Sequence, residues 1–520
     1  MFGIYWDGQP VPPLTPVQLQ SPIEDCRTQP LSALHDCRAQ PLNALNDCRA
    51  QPLSALQDCR AQALPVNDCR TVLPRSTWQE VAISQLRPHP LLRQIPLDAE
   101  HVVAFVPSLS QVVVLNRATQ QLLAQLPRSH PPLSTAETAV IGQLAEAGLL
   151  NGGQATLPRP PEPEVLSVWM HVTNACNLRC RYCYLTKTAA AMSPAVARAA
   201  VDAAIRSALQ HGFQGIAFKY AGGEPTLRMD TLALIHAYAV EQTARHGLAL
   251  SAGILSNGTL LNEQRIAQIA ALGVGLMISL DGLDLSHDQQ RIALHGQGSV
   301  EQTLAGIRAA QAAQIPLNIN ITVTSGNIAH LPTLVRWLID HELHFTLSYY
   351  RENDCSSSYA DLQHDEQRLI SGIRQVYAEI ARRPPRWSLL GSLLDRTDLS
   401  QPHSYPCAAG HSYLVIDHTG RIAKCQMTIN APVSDISAPD PLGVIRLDPT
   451  GPRGIPVDAR SGCQQCEWRY WCAGGCPVAT LRATGRSDVQ SPNCNIYRSL
   501  YPDLIRLEGQ RLLYWHTHKR

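Results

Sequence analysis

Three cysteines in eight residues, Cys176-Asn-Leu-Arg-Cys180-Arg-Tyr-Cys183, constrain this chain more than any other feature. Thiolates this close together suit a shared soft metal centre. The x3 and x2 spacings can ligate three irons of a cubane iron–sulfur cluster. One iron then has no protein ligand. Structural metal sites use every position, whereas catalytic ones keep one open. On spacing alone a four-ligand zinc site competes, with His171 nearby as a further ligand.

The surroundings of that loop read as a strand–helix alternation. Apolar runs at 165–173, 215–220, 248–255, 274–280, 317–323 and 343–349 are expected strands. Ala-rich stretches such as 193–209 and 262–272 are expected helices. Six βα units argue for a parallel sheet in an α/β fold. Sites in such folds lie at the C-terminal strand ends, and the polar motifs fall there. The cysteine loop follows the first strand and Gly222-Gly223-Glu224-Pro225 the second. Ser256-Asn257-Gly258 follows the third and Ser279-Leu-Asp281-Gly the fourth. Glycines at such ends let backbone approach a ligand closely.

A second cysteine pattern closes the chain. Cys407-x12-Gly420-x4-Cys425 is followed by Cys463-x2-Cys466-x5-Cys472-x3-Cys476 and by Cys494. A zinc ribbon needs four cysteines in two pairs, and seven overshoot it.

The C-x3-C-x-Φ-C loop, with Tyr182 as its aromatic residue, resembles the radical SAM superfamily. The resemblance covers 165–350 and implies a partial (β/α)6 barrel. It implies a [4Fe–4S] cluster on Cys176, Cys180 and Cys183. The open iron would chelate S-adenosylmethionine (SAM), whose cleavage yields a 5′-deoxyadenosyl radical. By the same resemblance Gly222, Gly223, Glu224 and Pro225 bind the SAM ammonium. Tyr182 and Asn257 join the cofactor set, Ser279, Asp281 and Arg291 lie near the ribose or carboxylate, and Val323 packs against adenine.

The C-terminal pattern is similar to the SPASM domain, placed at 403–520. Carried over by position, Cys463, Cys466, Cys472 and Cys494 hold one auxiliary [4Fe–4S] cluster. Cys407, Cys425 and Cys476 hold another, giving three clusters in all. The fourth ligand of the last is open. Tyr413 stands where some relatives carry a cysteine, and Cys355 and His411 are candidates.

Upstream, 76–156 reads as a small α+β domain. Runs at 102–106 and 111–115 alternate as a hairpin. Asn116 can cap a helix carrying Leu122, Leu123 and Leu126, and Ser134 with Glu137 forms a capping box for a second. Strands with helices suggest a winged-helix-like module, whose usual partner is DNA. Residues 78–150 hold four Arg, no Lys and five acidic residues, so the basic face that DNA requires is missing. The pattern is similar to the RiPP recognition element, which adds a leader peptide as an extra strand. A leader would then pair with the sheet edge near 102–115, and capture and chemistry would be separable. Pro-rich 157–164 reads as a stiff linker. Bridging helices are expected over 351–402.

Residues 1–75 form an extension whose segment 25–70 repeats with period 11, beginning Asp25-Cys-Arg-Thr-Gln-Pro-Leu-Ser-Ala-Leu-His. Proline at 30, 41 and 52 rules out a continuous helix. Few large apolar side chains predict a flexible segment. Cys26, Cys37, Cys48, Cys59 and Cys69 are either inert, metal-binding, or a mimic of a modified peptide substrate.

A net charge of +1 implies no attraction to nucleic acid or membrane. No apolar run approaches a bilayer span. The first basic residue is Arg27, so a secretory n-region is missing, and cysteines at metal spacings suit a reducing cytoplasm.

The resemblance leaves three functions. A maturase could crosslink a ribosomally made precursor peptide through a thioether, carbon–carbon or carbon–oxygen bond, with an electron donor such as flavodoxin or ferredoxin. A sulfatase-maturating enzyme would make formylglycine, but those enzymes carry an aspartate after the second SPASM cysteine, and here that residue is Gln426. A non-enzymatic iron–sulfur sensor would bind DNA and turn over no SAM. The crosslinking maturase fits best, with no catalytic side chain assigned.

Overall fold

The computed structural model describes residues 4–6, 9–10, 85–109, 111–127, 133–151, 157–356 and 360–518; the repeats at 25–70 lie outside them. The N-terminal strands are β1 (Ile4–Trp6), β2 (Gln9–Pro10), β3 (Arg87–Pro88), β4 (Arg93–Pro96), β5 (His101–Phe105), β6 (Val113–Asn116) and β7 (Leu150–Asn151). Helices α1 (Arg117–Ala124) and α2 (Thr135–Glu146) accompany them.

The central strands are β8 (Val165–His171), β9 (Gly215–Ala221), β10 (Ala249–Ser256), β11 (Gly275–Ser279), β12 (Leu317–Val323) and β13 (His344–Tyr349). They pair in that order and all run parallel. Helices α3 (Pro194–Gln210), α4 (Met229–His246), α5 (Glu263–Leu272), the short α6 (Leu285–Asp288), α7 (Val300–Ala312) and α8 (Leu331–Asp340) connect them. β13 is an edge strand, so the six parallel strands form an open sheet in a mixed α/β fold, as expected.

Local sequence explains these bounds. Ser193 accepts from Val196 N at the start of α3 with Pro194 behind it, and α5 runs from an Asn262 cap to Gly273 in the left-handed region (φ +67°). In β12 Ile319, Ile321 and Val323 are buried, whereas Asn318, Asn320 and Thr322 are half-buried on the other face. Ser348 Oγ donates to Asn320 Oδ1 at 3.0 Å, so that second face is a polar row.

After β13, among the described residues, the expected bridging helices reduce to one α-helix, α9 (Glu366–Arg382). Pro384 and Pro385 stop it, and 387–402 continue as turns. The C-terminal region is not a separate layer. β14 (Tyr413–Ile416) pairs parallel with β8, and β15 (Arg421–Ala423) and β16 (Ser434–Asp435) extend the same sheet to nine strands. All four residues of β14 are buried. Helices α10 (Pro441–Leu447), α11 (Arg469–Cys472), α12 (Pro477–Thr484) and α13 (Cys494–Thr517) complete the chain.

The N-terminal module has its expected caps. Asn116 Oδ1 accepts from Thr119 N at 3.0 Å, and Ser134 and Glu137 form the reciprocal box. α1 ends at Ala124, before Leu126. The sheet order is β2-β1-β6-β5-β4. Residues 102–115 are therefore not a free edge, which corrects the expected leader site. β5 lies between β4 and β6, and β1 covers the other side of β6 through Ile4↔Leu115 and Tyr5↔Val114.

The module is also not independent. Its core, including Leu115, Leu123 and Ile141, continues into Val457, Cys463 and Tyr470. Phe105 stacks near Trp468 and Trp471, and Ser108 Oγ donates to Glu467 O at 2.7 Å. The separability expected above conflicts with this shared core.

Candidate cofactor and metal sites

The cysteine loop leaves β8 and is tied down by backbone on two sides. Arg179 N and Arg181 N donate to Ile292 O and Gln290 O, at 2.7 and 2.9 Å. Gly223 N and Glu224 N donate to Thr173 O and Ala175 O, at 2.7 and 2.8 Å. A Cβ on Gly222 would lie 2.5 Å from Thr173 O, and one on Gly223 2.3 Å from Ala175 O. The two glycines are needed because the second strand's turn presses against the base of the loop.

Two of the three sulfurs of this set have a donor nearby. Lys187 Nζ lies 3.1 Å from Cys183 Sγ, and Leu178 N lies 3.4 Å from Cys176 Sγ. Burial pushes the Cys180 thiol up to about 12, and Cys183 and Cys176 add to the shift despite Arg291. A metal that binds such a thiol displaces its proton and holds it as thiolate.

Tyr182 reaches across the barrel mouth. Its hydroxyl donates to Asp281 Oδ2 at 2.6 Å, and Arg291 Nε donates to the same oxygen at 2.7 Å. Asp281 Oδ1 accepts from Thr322 N at 2.8 Å. The carboxylate therefore joins the loop, β11 and β12. Burial and then the Arg291 guanidinium act on Tyr182 in opposite senses, and the phenol ends well above its ordinary value.

The resemblance assigns Glu224 to the SAM ammonium; the structure gives its carboxylate to the protein. Glu224 is fully buried. Oε1 accepts from Thr226 N, Thr226 Oγ1 and Ser256 Oγ, and Oε2 accepts from Asn257 N at 2.8 Å. It braces the Gly222–Pro225 turn against the end of β10. Asn257 carries the brace onward, with Nδ2 donating to Asn177 Oδ1 at 2.9 Å and lying 4.0 Å from Cys176 Sγ. Ser279 ends β11, half-buried. Val323 is the residue expected against adenine. It is fully buried in the main core, and Thr322 and Asn320 hold the accessible face.

Seven further cysteines lie in two places. Cys463, Cys466, Cys472 and Cys494 line one cavity, walled by Trp468, Tyr497 and Tyr501. Burial pushes Cys463 up to about 12, with Cys472, Cys494 and Cys466 adding to it. Cys425 is likewise pushed to about 12 by burial and by Cys407 and Cys476. Cys476 differs. Burial raises it, but the Arg351 and Arg396 guanidiniums bring it below the ordinary thiol value, and Arg351 Nε lies 3.0 Å from its sulfur. Arg351 is also paired with buried Asp395.

The candidates for a fourth ligand engage elsewhere. Cys355 faces Tyr184 O and Thr186 Oγ1, and His411 stacks on Tyr405 at 3.9 Å with Nε2 3.3 Å from Glu162. Tyr413 donates to Gln426 Oε1 at 3.3 Å, which also faces Cys425 Sγ. Among the described residues no three His, Cys, Asp or Glu side chains converge as around a single metal ion. One apolar cluster, containing Cys183, Tyr184, Cys407, Cys425 and Cys476, joins the first set to the third.

Residues 170–338 match the family model of the radical SAM superfamily. The chain carries a radical SAM domain. Across more of its length it is 25% identical to the serine-type anaerobic sulfatase-maturating enzyme of Klebsiella aerogenes, over 376 residues that cover 68% of this chain and 87% of that protein. It is 32% identical over 171 residues to an uncharacterized protein of Methanocaldococcus jannaschii, covering 33% of this chain and 57% of that one. The chain thus spans little more than half the length of that relative. The solved structure of native anSMEcpe with bound AdoMet, which is SAM, shares the fold at a TM-score of 0.55 and 17% identity, covering 66% of this chain and 99% of that chain. The same protein with bound AdoMet and Cp18Cys peptide gives a TM-score of 0.53. The matched span contains the cysteine loop, and SAM and iron–sulfur chemistry go with that domain.

Sequence reasoning missed several residues that shape the site. Lys187, Asn177, Asn327 and Arg351 all follow strand ends or the loop itself. Asn327 donates to Asp281 O and Thr322 O. A strand-end position was the available signal for Asn327 and Arg351, which closely follow β12 and β13.

Proposed function

We propose that this chain is a peptide maturase that crosslinks a ribosomally made precursor, with SAM as the oxidant. Cys176, Cys180 and Cys183 hold the SAM-cleaving cluster, and the two C-terminal cysteine sets hold two auxiliary ones. When bound, the first cluster with SAM supplies a 5′-deoxyadenosyl radical that takes hydrogen from a peptide C–H bond. The chain's own residues do the rest. The carbonyls of the braced Gly222–Pro225 turn take the ammonium contact that Glu224 is not placed to make. Asp281 keeps Tyr182 and the loop in register, and Arg291 offers positive charge beside the loop for the SAM carboxylate. Asn257 and Ser279 complete the polar rim. A flavodoxin or ferredoxin supplies the priming electron.

The observation that carries this reading is Gln426. It lies beside Cys425 with its amide oxygen toward Tyr413, and an amide cannot remove a substrate proton as a carboxylate does. The relatedness to a serine-type sulfatase-maturating enzyme keeps formylglycine formation as the second reading, and the bound Cp18Cys peptide of anSMEcpe supports a peptide substrate for either.

The two diverge in product. Anaerobically reconstituted enzyme, SAM, reductant and a candidate precursor should give a peptide lacking two hydrogens that does not react with a hydrazine. A hydrazine-reactive aldehyde would reject the crosslinking reading.

A further inference from the structure

The central strands present two faces, and the inner one carries a single charge. Val168 and Met170 of β8 and Phe218 and Tyr220 of β9 belong to the main core, with helix residues such as Ala200 and Ile235. The alternate residues Trp169 and Ala221 turn the other way, into the apolar cluster that holds Cys425 and Cys476. Lys219 is half-buried on this second face, between Phe218 and Tyr220. Among the described residues of β8–β13, that face holds no Asp or Glu, and Lys219 is its one Lys or Arg. On β12 and β13 it is neutral and polar, with Asn320 and Ser348 bonded to one another.

A second donor stands beside Lys219. Trp169 is its direct register partner on β8, one strand spacing of about 4.8 Å away. Trp169 is 8% exposed, and its Nε1 is buried with no hydrogen-bond partner. An indole N–H can only donate, and a buried donor left unmade is costly. The position is therefore built to meet an acceptor. The ammonium of Lys219 has three donors, so a ligand oxygen can share it with a protein acceptor. On the far side of Lys219 in register stands Gly253, which contributes no side chain.

The place of this pair in the fold points to substrate. Two residues after Lys219, β9 ends at the Gly222–Pro225 turn, which is bonded to the cysteine loop. Trp169 packs in the cluster that reaches both Cys183 and Cys425. The two donors thus lie between the cysteine loop and the set of Cys407, Cys425 and Cys476. One cationic and one neutral donor, side by side with no competing acid, match the two oxygens of a carboxylate.

We propose that Lys219 Nζ and Trp169 Nε1 form a carboxylate subsite on the inner face of the sheet, so that the peptide substrate carries an acidic group beside the residue that reacts. This deepens the maturase reading above and rests on its peptide substrate. The carboxylate comes from an Asp or Glu side chain or from the peptide's own C-terminus.

The test uses the full chain with reconstituted clusters and saturating SAM, titrated calorimetrically with N-acetyl-Gly-Asp-Gly-amide and its Asn and Lys counterparts. The Asn peptide with an unblocked C-terminal carboxylate is the fourth probe. The Asp peptide should bind about tenfold tighter than the Asn amide, as a charged hydrogen bond implies. An equal gain by the unblocked Asn peptide assigns the subsite to a C-terminus, and its lack assigns it to a side chain. Lys219→Met should abolish the gap, and Lys219→Glu should make the Lys peptide the tightest of the set, a reversal that a merely structural lysine would not give. Trp169→Phe should narrow the gap about threefold. Iron content and the SAM dissociation constant should stay unchanged in all three variants. Equal binding of the Asp and Asn amides, no binding by any probe, or a gap that survives Lys219→Met or is untouched by Trp169→Phe would each overturn the proposal. So would a raised SAM dissociation constant in Lys219→Met, which would give the donors to the carboxylate of SAM itself. A peptide aldehyde formed with the acid preference intact removes the crosslinking reading and leaves this one standing. A crosslink formed with no acid preference does the reverse.

Discussion

Asp281 is the residue on which the candidate SAM site turns. It accepts from Tyr182, Arg291 and Thr322, so one buried carboxylate registers the cysteine loop against two strands. Tyr182→Phe removes one charge-assisted bond, worth about 1.5 kcal/mol. The cluster should still assemble, and the SAM dissociation constant should rise about tenfold in an equilibrium titration. An unchanged constant would mean that the loop is held without the phenol. A second prediction concerns Arg351, whose Nε lies 3.0 Å from Cys476 Sγ. A cationic donor on a ligand sulfur favours the reduced cluster. Arg351→Gln with Asp395→Asn removes both buried charges together, so neither is left unpaired. The potential of the cluster on Cys407, Cys425 and Cys476 should fall by roughly 50–100 mV in a redox titration followed by electron paramagnetic resonance. These partners were not legible in the sequence, because a pair such as Arg351 and Asp395 is set by packing. The cysteines were legible because metal ligation demands short, fixed spacings. Glu224 and Val323 turn into the protein, which the sequence did not tell: a motif says which residues gather at a strand end, not which way each side chain turns.

At the scale of elements, β8–β13 match the expected strands closely, since each is rich in apolar residues and is followed by its own helix. β14 was missed. Tyr413–Ile416 is a four-residue apolar run, too short to separate strand from helix by periodicity. The extra strands β1 and β2 were equally hidden, because a strand that pairs with a distant edge has no local mark. The contact between β9's turn and the cysteine loop gives the sharpest test here. Gly223→Ala would put a Cβ 2.3 Å from Ala175 O, and neither atom belongs to a flexible side chain. The loop must shift, so iron content after reconstitution should fall by about four per chain. Full retention would show that the turn can retreat without moving the thiolates.

The whole molecule is more integrated than its composition implied. The nine-stranded sheet runs from the barrel into the C-terminal region, and the N-terminal module shares a core with Val457, Cys463 and Tyr470. Deleting 76–156 should therefore cost the cluster on Cys463, Cys466, Cys472 and Cys494, again about four irons, rather than peptide capture alone. An iron count on the truncated chain checks this, and a full complement would restore the view of a detachable capture domain. The decisive measurement addresses the separateness of the cysteine loop. The Cys176→Ala/Cys180→Ala/Cys183→Ala chain should keep about eight of roughly twelve irons and form no 5′-deoxyadenosine. Retained SAM cleavage, or loss of all the iron, would contradict it.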